Sequence, residues 1–337
     1  MTPGVALPAA AIPDRSGVEA RRYHPELAAM WDAFIEQSCN GTFLLRRSYM
    51  DYHADRFQDN SYFLFKGDKP MAVFVAGTNR ASAAPHTLIA HPGLTYGGLV
   101  SAQPLRYSEV EECYATLFAA MRSEGYVKLV VKPVGRIFCQ QYTEAELFYF
   151  HRASFRLLNQ EMNQVIDLTR PLRLNKGRKD NARKSRLAGV QVELSEDYAG
   201  FWPVLTENLA RTHDVRPPHT AAEMHLLQHR NPGQVRLYVA RYPAGGAVVA
   251  GVVLFLDPAH GFAHTQYISG NEAGKQVGTV DYLLTHVLAE VQQCAILRFS
   301  FGISSVRGEV NYGLMSQKDG FGATIELLSS YEKDLDA

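Results

Sequence analysis

The stretch that decides the fold is RFSFGISSVRGEVNYGLMSQKDGFGA, from Arg298 to Ala323. It opens with apolar residues at alternate positions, a period of two that is typical of a half-buried strand. Gly302 ends this strand, and a polar loop follows. Residues 311–318 then indicate a short helix, and residues 320–322 turn the chain into a last strand. The pattern predicts a β–α–β corner whose loop rim holds polar side chains, although the glycines alone would also be explained by tight turns.

The composition limits the class of protein. The chain has 337 residues, of which 46% are hydrophobic, so it can bury a large core in two domains or in one duplicated domain. Its 34 basic and 34 acidic residues balance, so nucleic acid or membrane would have to bind a local patch. The four cysteines lack metal-ligand spacing, and we recognise neither a signal peptide nor an apolar run that spans a bilayer. We therefore expect a reduced, cytoplasmic protein with no bound metal.

The predicted elements occur in the same order twice. The order is helix, helix, hairpin, strand, helix, strand, helix and strand. It recurs at a spacing of roughly 170 residues, which is too long for a solenoid repeat. The two hairpins turn at residues 67–70 and 243–246. Coincidence between two mixed halves is the alternative, but we expect a duplicated α/β (α+β) fold. The expected parts are a mobile tail over residues 1–20, an N-terminal domain over 21–170, a basic linker helix over 171–189 and a C-terminal domain over 190–337.

A basic block lies between the two halves. Residues 170–186 carry eight lysines and arginines against the single acid Asp180, and Gly189 is placed to end a helix as its C′ residue. Such a block fits the phosphates of a cofactor, a nucleotide-sugar or a tRNA. A solvated linker helix explains the same charges. No aromatic residues are interleaved with the basic ones, so base stacking is not indicated.

Four motifs carry a family resemblance. They are Asn311-x-Gly313-Leu314-x3-Lys318-x2-Phe321-Gly322-Ala323, Asn40-Gly41-Thr42-Phe43-Leu44, Gly93-Leu94-Thr95-Tyr96-Gly97-Gly98 and His264-Thr265-Gln266-Tyr267-Ile268-Ser269. Together they resemble GNAT-type acyltransferases of the subgroup related to the Fem-type peptidyltransferases. The resemblance covers residues 25–332 and implies two GNAT-like domains, each a mixed, mostly antiparallel sheet flanked by helices. It also implies acyl transfer without a tightly bound cofactor, with acyl-CoA or aminoacyl-tRNA as co-substrate.

The resemblance also implies a donor site in the second domain. A parted strand over residues 262–269 would meet the acyl carbonyl with backbone N–H groups, and the next helix N-terminus would bind the CoA pyrophosphate. The sequence Lys275-x-x-Gly278-x-Val280 departs from the usual Arg/Gln-x-x-Gly-x-Gly/Ala pattern of that loop. The expected donor-binding residues are Tyr267, Ile268, Ser269, Gly274, Lys275, Gly278 and Thr279.

Proton transfer and acceptor binding have their own candidates. For the general base we weigh His264, His219 and Glu309, since a histidine titrates near neutral pH. Asp281 is a further candidate for the general base, but its position in the first turn of its helix is explained equally well by a favourable interaction with the helix dipole. A histidine bonded to backbone in the core explains His264 as readily. The expected substrate-binding residues are Arg216, Gln266, Ser304, Asn311 and Lys318.

Three functions agree with these features. The first is an N-acyltransferase that moves an acyl group, acetyl being the simplest, from acyl-CoA to the amine of an amino sugar or small metabolite. The second is an aminoacyl-tRNA-dependent transferase, which the basic block at 170–186 favours. The third is a non-catalytic protein that keeps the GNAT shape for binding. We expect a monomer or a homodimer.

Overall fold

The chain folds into two α/β units that share strands. A computed structural model describes residues 17–82, 84, 86–90, 92–213 and 215–336. The helices are α1 (Ala28–Gln37), α2 (Arg47–Met50), α3 (Tyr107–Ser123), α4 (Ala145–Arg152), α5 (Lys176–Leu187), α6 (Tyr198–His213), α7 (Ala221–Arg230), α8 (Glu272–Gln276), α9 (Thr279–Val291) and α10 (Tyr312–Asp319).

The strands follow the predicted duplication. In the N-terminal half they are β1 (Val18–Arg22), β2 (Phe57–Asp59), β3 (Tyr62–Lys66), β4 (Lys69–Val75), β5 (Gly77–Asn79), β6 (Thr87–Ile89), β7 (Gly98–Ser101), β8 (Lys128–Val131) and β9 (Arg156–Asp167). In the C-terminal half they are β10 (Gln191–Ser195), β11 (Val235–Arg241), β12 (Val248–Asp257), β13 (Phe262–Gly270), β14 (Arg298–Ile303), β15 (Ser305–Val306), β16 (Glu309–Val310) and β17 (Thr324–Asp334).

Local sequence explains where three helices near the later site begin. The side chains of Asn175, Asn271 and Asn311 each accept a hydrogen bond from a backbone N–H in the first turn of α5, α8 and α10. Gly189 follows the end of α5 as its C′ residue, as predicted, and its φ of 81° is the left-handed conformation that glycine adopts without strain. These residues fix where α5, α8 and α10 begin and where α5 ends.

The sheets are mixed and mostly antiparallel, as the fold prediction requires. One sheet has four strands in the order β1-β3-β4-β7, and a second has eleven in the order β10-β11-β12-β13-β14-β9-β17-β8-β6-β5-β2. Within the described residues, the parallel pairs are β13 with β14 and β6 with β8. Helices flank both sheets, so the predicted α/β (α+β) class is confirmed.

The two halves exchange their last strands. Strand β9 pairs with β14 of the C-terminal half, for example Asp167 with Arg298. Strand β17 pairs along most of its length with β9, and its final residues 331–334 pair with β8 of the N-terminal half. The sequence predicts an N-terminal and a C-terminal domain. The structure instead joins them by backbone hydrogen bonds into one continuous eleven-stranded sheet.

The predicted N-terminal tail differs at its end. Residues 1–16 lie outside the described residues. Residues 18–20 belong to β1, in which Val18 pairs with Lys66 and Ala20 with Leu64. The tail prediction is therefore wrong for these three residues, because pairing with a strand more than forty positions away leaves no local signal in the sequence.

Apolar packing also joins the two halves. Each half has its own cluster of buried side chains, and a third cluster lies between them. In that third cluster the ring centroids of Phe43 and Phe255 lie 5.8 Å apart, and those of Phe138 and Phe262 lie 5.1 Å apart. Edge-to-face aromatic pairs of this kind add to the free energy gained from burial. The interdomain face of β13, β14 and β9 is thereby held at a fixed position.

Candidate active site

Strands β13 and β14 part in the C-terminal half. Their parallel pairing joins residues 262–264 to residues 298–300 and, within the described residues, stops there. Each strand is irregular at this point: the β12–β13 register passes over Gln266, and Gly302 of β14 has a φ of 74°. Bulges bend strands and often lie beside active sites. Beyond His264, the β14-facing edge of β13 is therefore open to a ligand.

A cavity of about 270 Å³ lies where the strands separate. Seven elements form its wall, namely α5, α6, β13, α8, α9, β14 and α10, together with the loops before α9 and after α10. The lining residues are Arg178, Asn181, Asn208, Ile268, Ser269, Gly270, Lys275, Gly278, Thr279, Val280, Asp281, Leu284, Phe301, Leu314, Gln317, Lys318 and Phe321. The structure thus brings six of the predicted residues together, namely Ile268, Ser269, Lys275, Gly278, Thr279 and Lys318.

The N-terminus of α9 points a helix dipole at this cavity. The first N–H groups of a helix have no partner within it, and the dipole favours negative charge there. Asp281 lies in this first turn, where its carboxylate would oppose an anion. Arg178 Nη1 donates to both carboxylate oxygens of Asp281, at 2.7 and 2.8 Å, and Asn181 Nδ2 donates at 2.6 Å. Helix α5 therefore neutralises Asp281 and leaves the helix N-terminus suited to an anionic ligand.

The two glycines of the loop are required by packing. Gly278 has a φ of 76°, and a Cβ atom there would lie 2.9 Å from Asn181 Cβ. A Cβ atom on Gly274 would lie 2.7 Å from the carbonyl oxygen of Val249. Lys275 is held at the cavity wall, where its Nζ lies 3.1 Å from Glu272 Oε1. Close packing alone accounts for both glycines, so they are not by themselves evidence for a phosphate.

Lys318 is the buried cation of the cavity. Its side chain is only 5% exposed, and Nζ donates to the carbonyl oxygens of Gly302 at 2.9 Å and Ile303 at 2.6 Å. Burial lowers the pKa of Lys318 to about 7. A lysine ammonium has three N–H donors, so the protonated form keeps one for a ligand. Lys318 can therefore carry positive charge and exchange a proton near neutral pH.

His264 is held in a buried chain of hydrogen bonds. Ser300 Oγ donates to Asn163 Oδ1 at 2.7 Å, so it accepts from His264 Nδ1 at 2.9 Å, which assigns the proton to Nδ1. Burial, together with the nearby charges of Lys318 and Lys132, lowers the pKa of His264 to about 3. The ring is neutral at neutral pH and a weak base. Its contacts suit it to position Ser300 and β14.

His219 and Tyr267 contact each other away from the cavity. His219 Nδ1 and the hydroxyl oxygen of Tyr267 lie 2.6 Å apart, and the His219 ring stacks on Tyr52 with centroids 5.6 Å apart. Burial lowers the pKa of His219 to about 4. Tyr267 also packs edge-on against Trp202. This pair links β13 to the N-terminal half, and neither ring lines the cavity between β13 and β14.

Four other predicted residues have structural roles or lie apart. Ser304 Oγ donates to Gln164, and the Asn311 side chain caps α10. Glu309 is exposed on the small β15–β16 hairpin, and Arg216 is exposed in the loop between α6 and α7. The structure does not bring these four into the cavity. Gln266, the residue passed over in the β12–β13 register, is not among its lining residues either.

Sequence reasoning missed Arg178 and Asn181 as individual site residues. Both belong to the basic block, which the sequence marks only as a whole. The signal that places them is their spacing: residues 178, 181 and 185 fall on one helical face and pack against α9. The partner of Arg178, Asp281, is 103 positions away. A contact at that separation cannot be read from local pattern.

The described part of the chain offers neither a metal site nor a membrane-spanning helix. Within the described ranges, no group of three or more histidine, cysteine, aspartate or glutamate side chains could hold a metal ion. In the same part of the chain, none of the helices has both the length and the apolar character needed to cross a bilayer.

The comparison with protein families agrees with this geometry. Residues 173–312 match the family model described as an acetyltransferase (GNAT) domain. The matched segment runs from just before α5 to the start of α10 and includes every strand and helix that lines the cavity between β13 and β14, except the body of α10. The match places this segment in the GNAT domain family and supports an acyltransferase activity for the protein.

Solved structures extend the likeness to nearly the whole chain. FemX is 11% identical, with a TM-score of 0.69 over 94% of this chain and 97% of that one. L-PGS from Bacillus licheniformis is 12% identical, with a TM-score of 0.59 over 93% and 92%. A tandem GNAT protein from the clavulanic acid biosynthesis pathway is 11% identical, with a TM-score of 0.55 over 94% and 98%. The predicted tandem, Fem-related GNAT fold is confirmed.

The curated proteins add no relative, since a search of them finds no match to this sequence. Because these solved structures are only 11–12% identical to this chain, their likeness shows the fold alone. The choice of donor and acceptor therefore has to be argued from the residues of this chain.

Proposed function

We propose that the protein is an N-acyltransferase that moves an acyl group, acetyl in the simplest case, from acyl-CoA to the amine of an amino sugar or another small metabolite. The observation that supports it most is the cavity between β13 and β14. This cavity holds an open strand edge, a helix N-terminus whose acidic residue Asp281 is neutralised by Arg178, and a buried lysine with a pKa of about 7. The helix N-terminus would bind the phosphates of the carrier, and the strand edge and the lysine would stabilise negative charge on the thioester carbonyl oxygen.

The reaction would use these groups in order. The donor phosphates would lie at the N-terminus of α9 near Lys275, and the thioester would lie along the open edge of β13. The amine nitrogen attacks the carbonyl carbon, the C–S bond breaks, and the thiolate takes up the proton that the nitrogen loses. Backbone N–H groups of β13 and the Lys318 ammonium would stabilise the negative charge that develops on the carbonyl oxygen. Holding both substrates at contact distance supplies much of the rate.

Proton transfer is assigned by pKa. A general base works best when its pKa is near the working pH. The pKa values of His264 and His219, about 3 and about 4, make both rings poor bases. We therefore assign His264 to positioning of Ser300 and His219 to positioning of Tyr267. Lys318, with a pKa of about 7, remains the titratable group of the cavity that can respond near neutral pH.

The test is a transfer assay with defined substrates. The full chain is incubated with acetyl-CoA and D-glucosamine, CoA release is followed with a thiol reagent, and the product is identified by mass. We expect one acetyl group per CoA released, and Lys318→Met should abolish most of the signal. Absence of transfer to glucosamine, spermidine and L-lysine alike, in a protein that is folded by circular dichroism, would contradict CoA-dependent transfer to small amines.

A second candidate is aminoacyl-tRNA-dependent amide formation, and one observation favours it. Lys176, Lys179, Arg183 and Arg186 are exposed on α5 and follow helical spacing, so they form a basic stripe beside the cavity wall. Such a stripe could bind a nucleic acid backbone. If tRNA binds there, affinity should fall steeply with salt, because counterions are released.

The two donors can be compared directly. Thermal shifts are measured with acetyl-CoA, CoA and charged tRNA, since a ligand that binds the folded state raises its melting temperature. Stabilisation by CoA that Lys176→Ala/Lys179→Ala/Arg183→Ala leaves unchanged supports the first function. Stabilisation by charged tRNA alone, lost in this triple variant, supports the second. Stabilisation by CoA without transfer to any tested amine would favour the non-catalytic alternative.

A further inference from the structure

The basic stripe of α5 has no role in the proposed reaction with acyl-CoA. Its four side chains are exposed, and none of them lines the cavity between β13 and β14. The face of α5 that lines this cavity holds Arg178 and Asn181, whose side chains bond to Asp281. Helical spacing places the stripe on the solvent side of the same helix. A function for the stripe therefore has to involve a partner other than the donor.

The charges of the stripe are not neutralised by ion pairs within the protein. Among the described residues, the ion pairs of this segment are those of Arg170 with Asp167 and of Arg178 with Asp281, and neither involves the stripe. The single acid of the block, Asp180, is exposed beside four cations. The stripe is therefore a local positive patch on a chain whose formal net charge is zero, and it suits an anionic surface.

An exposed leucine adjoins the stripe at the end of the helix. Leu187, the last residue of α5, is 74% exposed, the highest value among the large apolar side chains that the structure describes. Side chains three and four positions apart on a helix are neighbours, so Leu187 lies next to Arg183 and Lys184. Covering such a side chain with an apolar partner removes it from water and is favourable. The last turn of α5 thus presents positive charge and apolar surface together.

A second exposed leucine lies on the same side of the sheet. Leu194 of β10 is 58% exposed, and β10 is an edge strand of the eleven-stranded sheet. Leu194 alternates with Val190 and Val192, which pack in the same apolar cluster as the side chains of α9. It therefore projects towards the helix layer to which α5 belongs, since α5 packs against α9. Leu187 and Leu194 flank the turn at 188–190 on this side of the molecule.

The two leucines distinguish a lipid surface from a nucleic acid. A single-stranded nucleic acid binds a basic groove and stacks its bases on aromatic side chains, but residues 170–189 contain no aromatic residue. A bilayer with anionic lipids attracts lysine and arginine through its headgroups, and it also takes up apolar side chains at the boundary of its acyl chains. Unpaired cations beside exposed leucines therefore favour the bilayer.

We propose that the basic stripe, together with Leu187 and Leu194, docks the protein on the surface of an anionic membrane. The cations lie among the lipid phosphates, and the two leucines enter the boundary between headgroups and acyl chains. The opposite side of α5 lines the cavity between β13 and β14, so docking holds this cavity roughly one helix diameter, about 10 Å, from the headgroups. The proposal does not depend on the identity of the donor or the acceptor.

The test is co-sedimentation of the full chain with vesicles, without substrates. Vesicles of equal parts phosphatidylcholine and phosphatidylglycerol are compared with vesicles of phosphatidylcholine alone, and we expect binding to the first kind only. Each cation near an anionic surface contributes about fivefold in affinity, so Lys176→Gln/Lys179→Gln/Arg183→Gln should weaken binding about 100-fold. Leu187→Gln, which keeps all the charges, should weaken it about tenfold.

Matched controls and one competitor complete the test. Lys69→Gln and Leu226→Gln replace exposed residues of the same types away from α5, and neither should change vesicle binding. Equal binding to both vesicles, binding to neither, or binding that Leu187→Gln leaves unchanged overturns the inference. Binding of unfractionated tRNA alone, lost in the triple variant, would assign the stripe to nucleic acid instead. Because the assay holds neither donor nor acceptor, absence of acyl transfer would contradict the proposed function and leave membrane docking in place.

Discussion

The two strand partings of this protein share a layout and differ in charge. In the C-terminal half the gap between β13 and β14 is walled by Arg178, Lys275 and Lys318. In the N-terminal half a cavity of about 360 Å³ lies at the gap between β7 and β8, and its charged lining residues are Glu144, Glu146, Arg136 and, from the exchanged strand β17, Glu326. A repeated backbone has thus been given two opposite electrostatic sites. The comparison teaches that function is located in the side chains of a site and does not follow from the fold.

The largest expected effect is the loss of Lys318. Lys318→Met keeps the side-chain volume but removes the ammonium from the cavity. Turnover should fall by roughly 100-fold or more, as when one oxyanion donor is removed, while the acceptor KM changes little. Steady-state kinetics with acetyl-CoA measure both. Lys69→Met, at an exposed position in the N-terminal half, is the control and should remain fully active.

The same variant gives a pH test. Because burial places the pKa of Lys318 at about 7, the ammonium is lost as the pH rises through that value. The activity ratio of wild type to Lys318→Met should therefore decline between about pH 6 and pH 8. A ratio that stays constant across this range would show that the charge of Lys318 does not act in the reaction.

The next largest effect concerns the wall that distinguishes the C-terminal cavity. Arg178→Met leaves the carboxylate of Asp281 almost buried, at 5% exposure, with Asn181 as its remaining donor. We expect the free energy of unfolding to fall by about 2–3 kcal/mol, less than for a fully buried pair, because Arg178 is partly exposed. Urea denaturation measures this change. Adding Asp281→Leu should recover part of the loss, and no recovery would mean that the pair is not what Arg178 stabilises.

A smaller effect is expected at the helix N-terminus. Gly278→Glu places a side chain against Asn181 and an acid where donor phosphates would bind, so CoA affinity should fall about tenfold or more. Gly245→Glu is a close control, since Gly245 also has a positive φ of 70° but has open space around its missing Cβ atom. Calorimetry on both variants separates backbone strain from loss of the site. Equal affinities for CoA would argue against this position of the phosphates.

The smallest effects are opposite pH trends from two titratable groups, His264 in the C-terminal half and Glu146 in the N-terminal half. His264 has a pKa lowered from 6.5 to about 3, so the unfolded chain binds more protons and stability falls as the pH drops below about 6.5. Glu146 has a pKa raised from 4.5 to about 7, so the folded chain binds more protons and stability falls as the pH rises from about 4.5 to 7. Each group contributes a slope of at most about 1.4 kcal/mol per pH unit.

Urea denaturation between pH 4.5 and 7.5 resolves these slopes. His264→Gln should make the loss of stability at low pH shallower than in the wild type. Glu146→Gln should instead remove a loss at the upper end of the range. Identical pH dependence in the two variants would mean that neither group changes its pKa on folding.

The sequence predicts elements well where the pattern is local. The apolar spacing of residues 280–291 predicts a helix, and helix α9 begins at Thr279. The helix expected at 311–318 is found at Tyr312–Asp319, and the strand expected at 262–269 is found at Phe262–Gly270. Helix α9 has a strong periodic signal, and all three elements have a glycine or asparagine at a boundary, namely Gly278, Asn311 and Gly270.

The prediction falls short where partners are distant in sequence. The local sequence predicts strands only at 164–168 and 324–328, but β9 covers Arg156–Asp167 and β17 covers Thr324–Asp334. The additional residues are largely polar and form strand because they pair with each other across the two halves. For the site, Lys318 and Ser269 could be chosen from motifs. The pairing of Arg178 with Asp281 depends on a contact that only the folded chain makes.

The exchange of β9 and β17 also governs how the molecule is made. Strand β8 lies in the first half, yet its neighbour β17 in the sheet is synthesised 200 positions later, as the pairing of Val131 with Tyr331 shows. Until β17 is synthesised, the edge of β8 in the first unit is exposed, and exposed strand edges favour aggregation. We expect that neither half folds stably when it is expressed alone, whereas the two fragments expressed together can assemble through the pairing of β17 with β8.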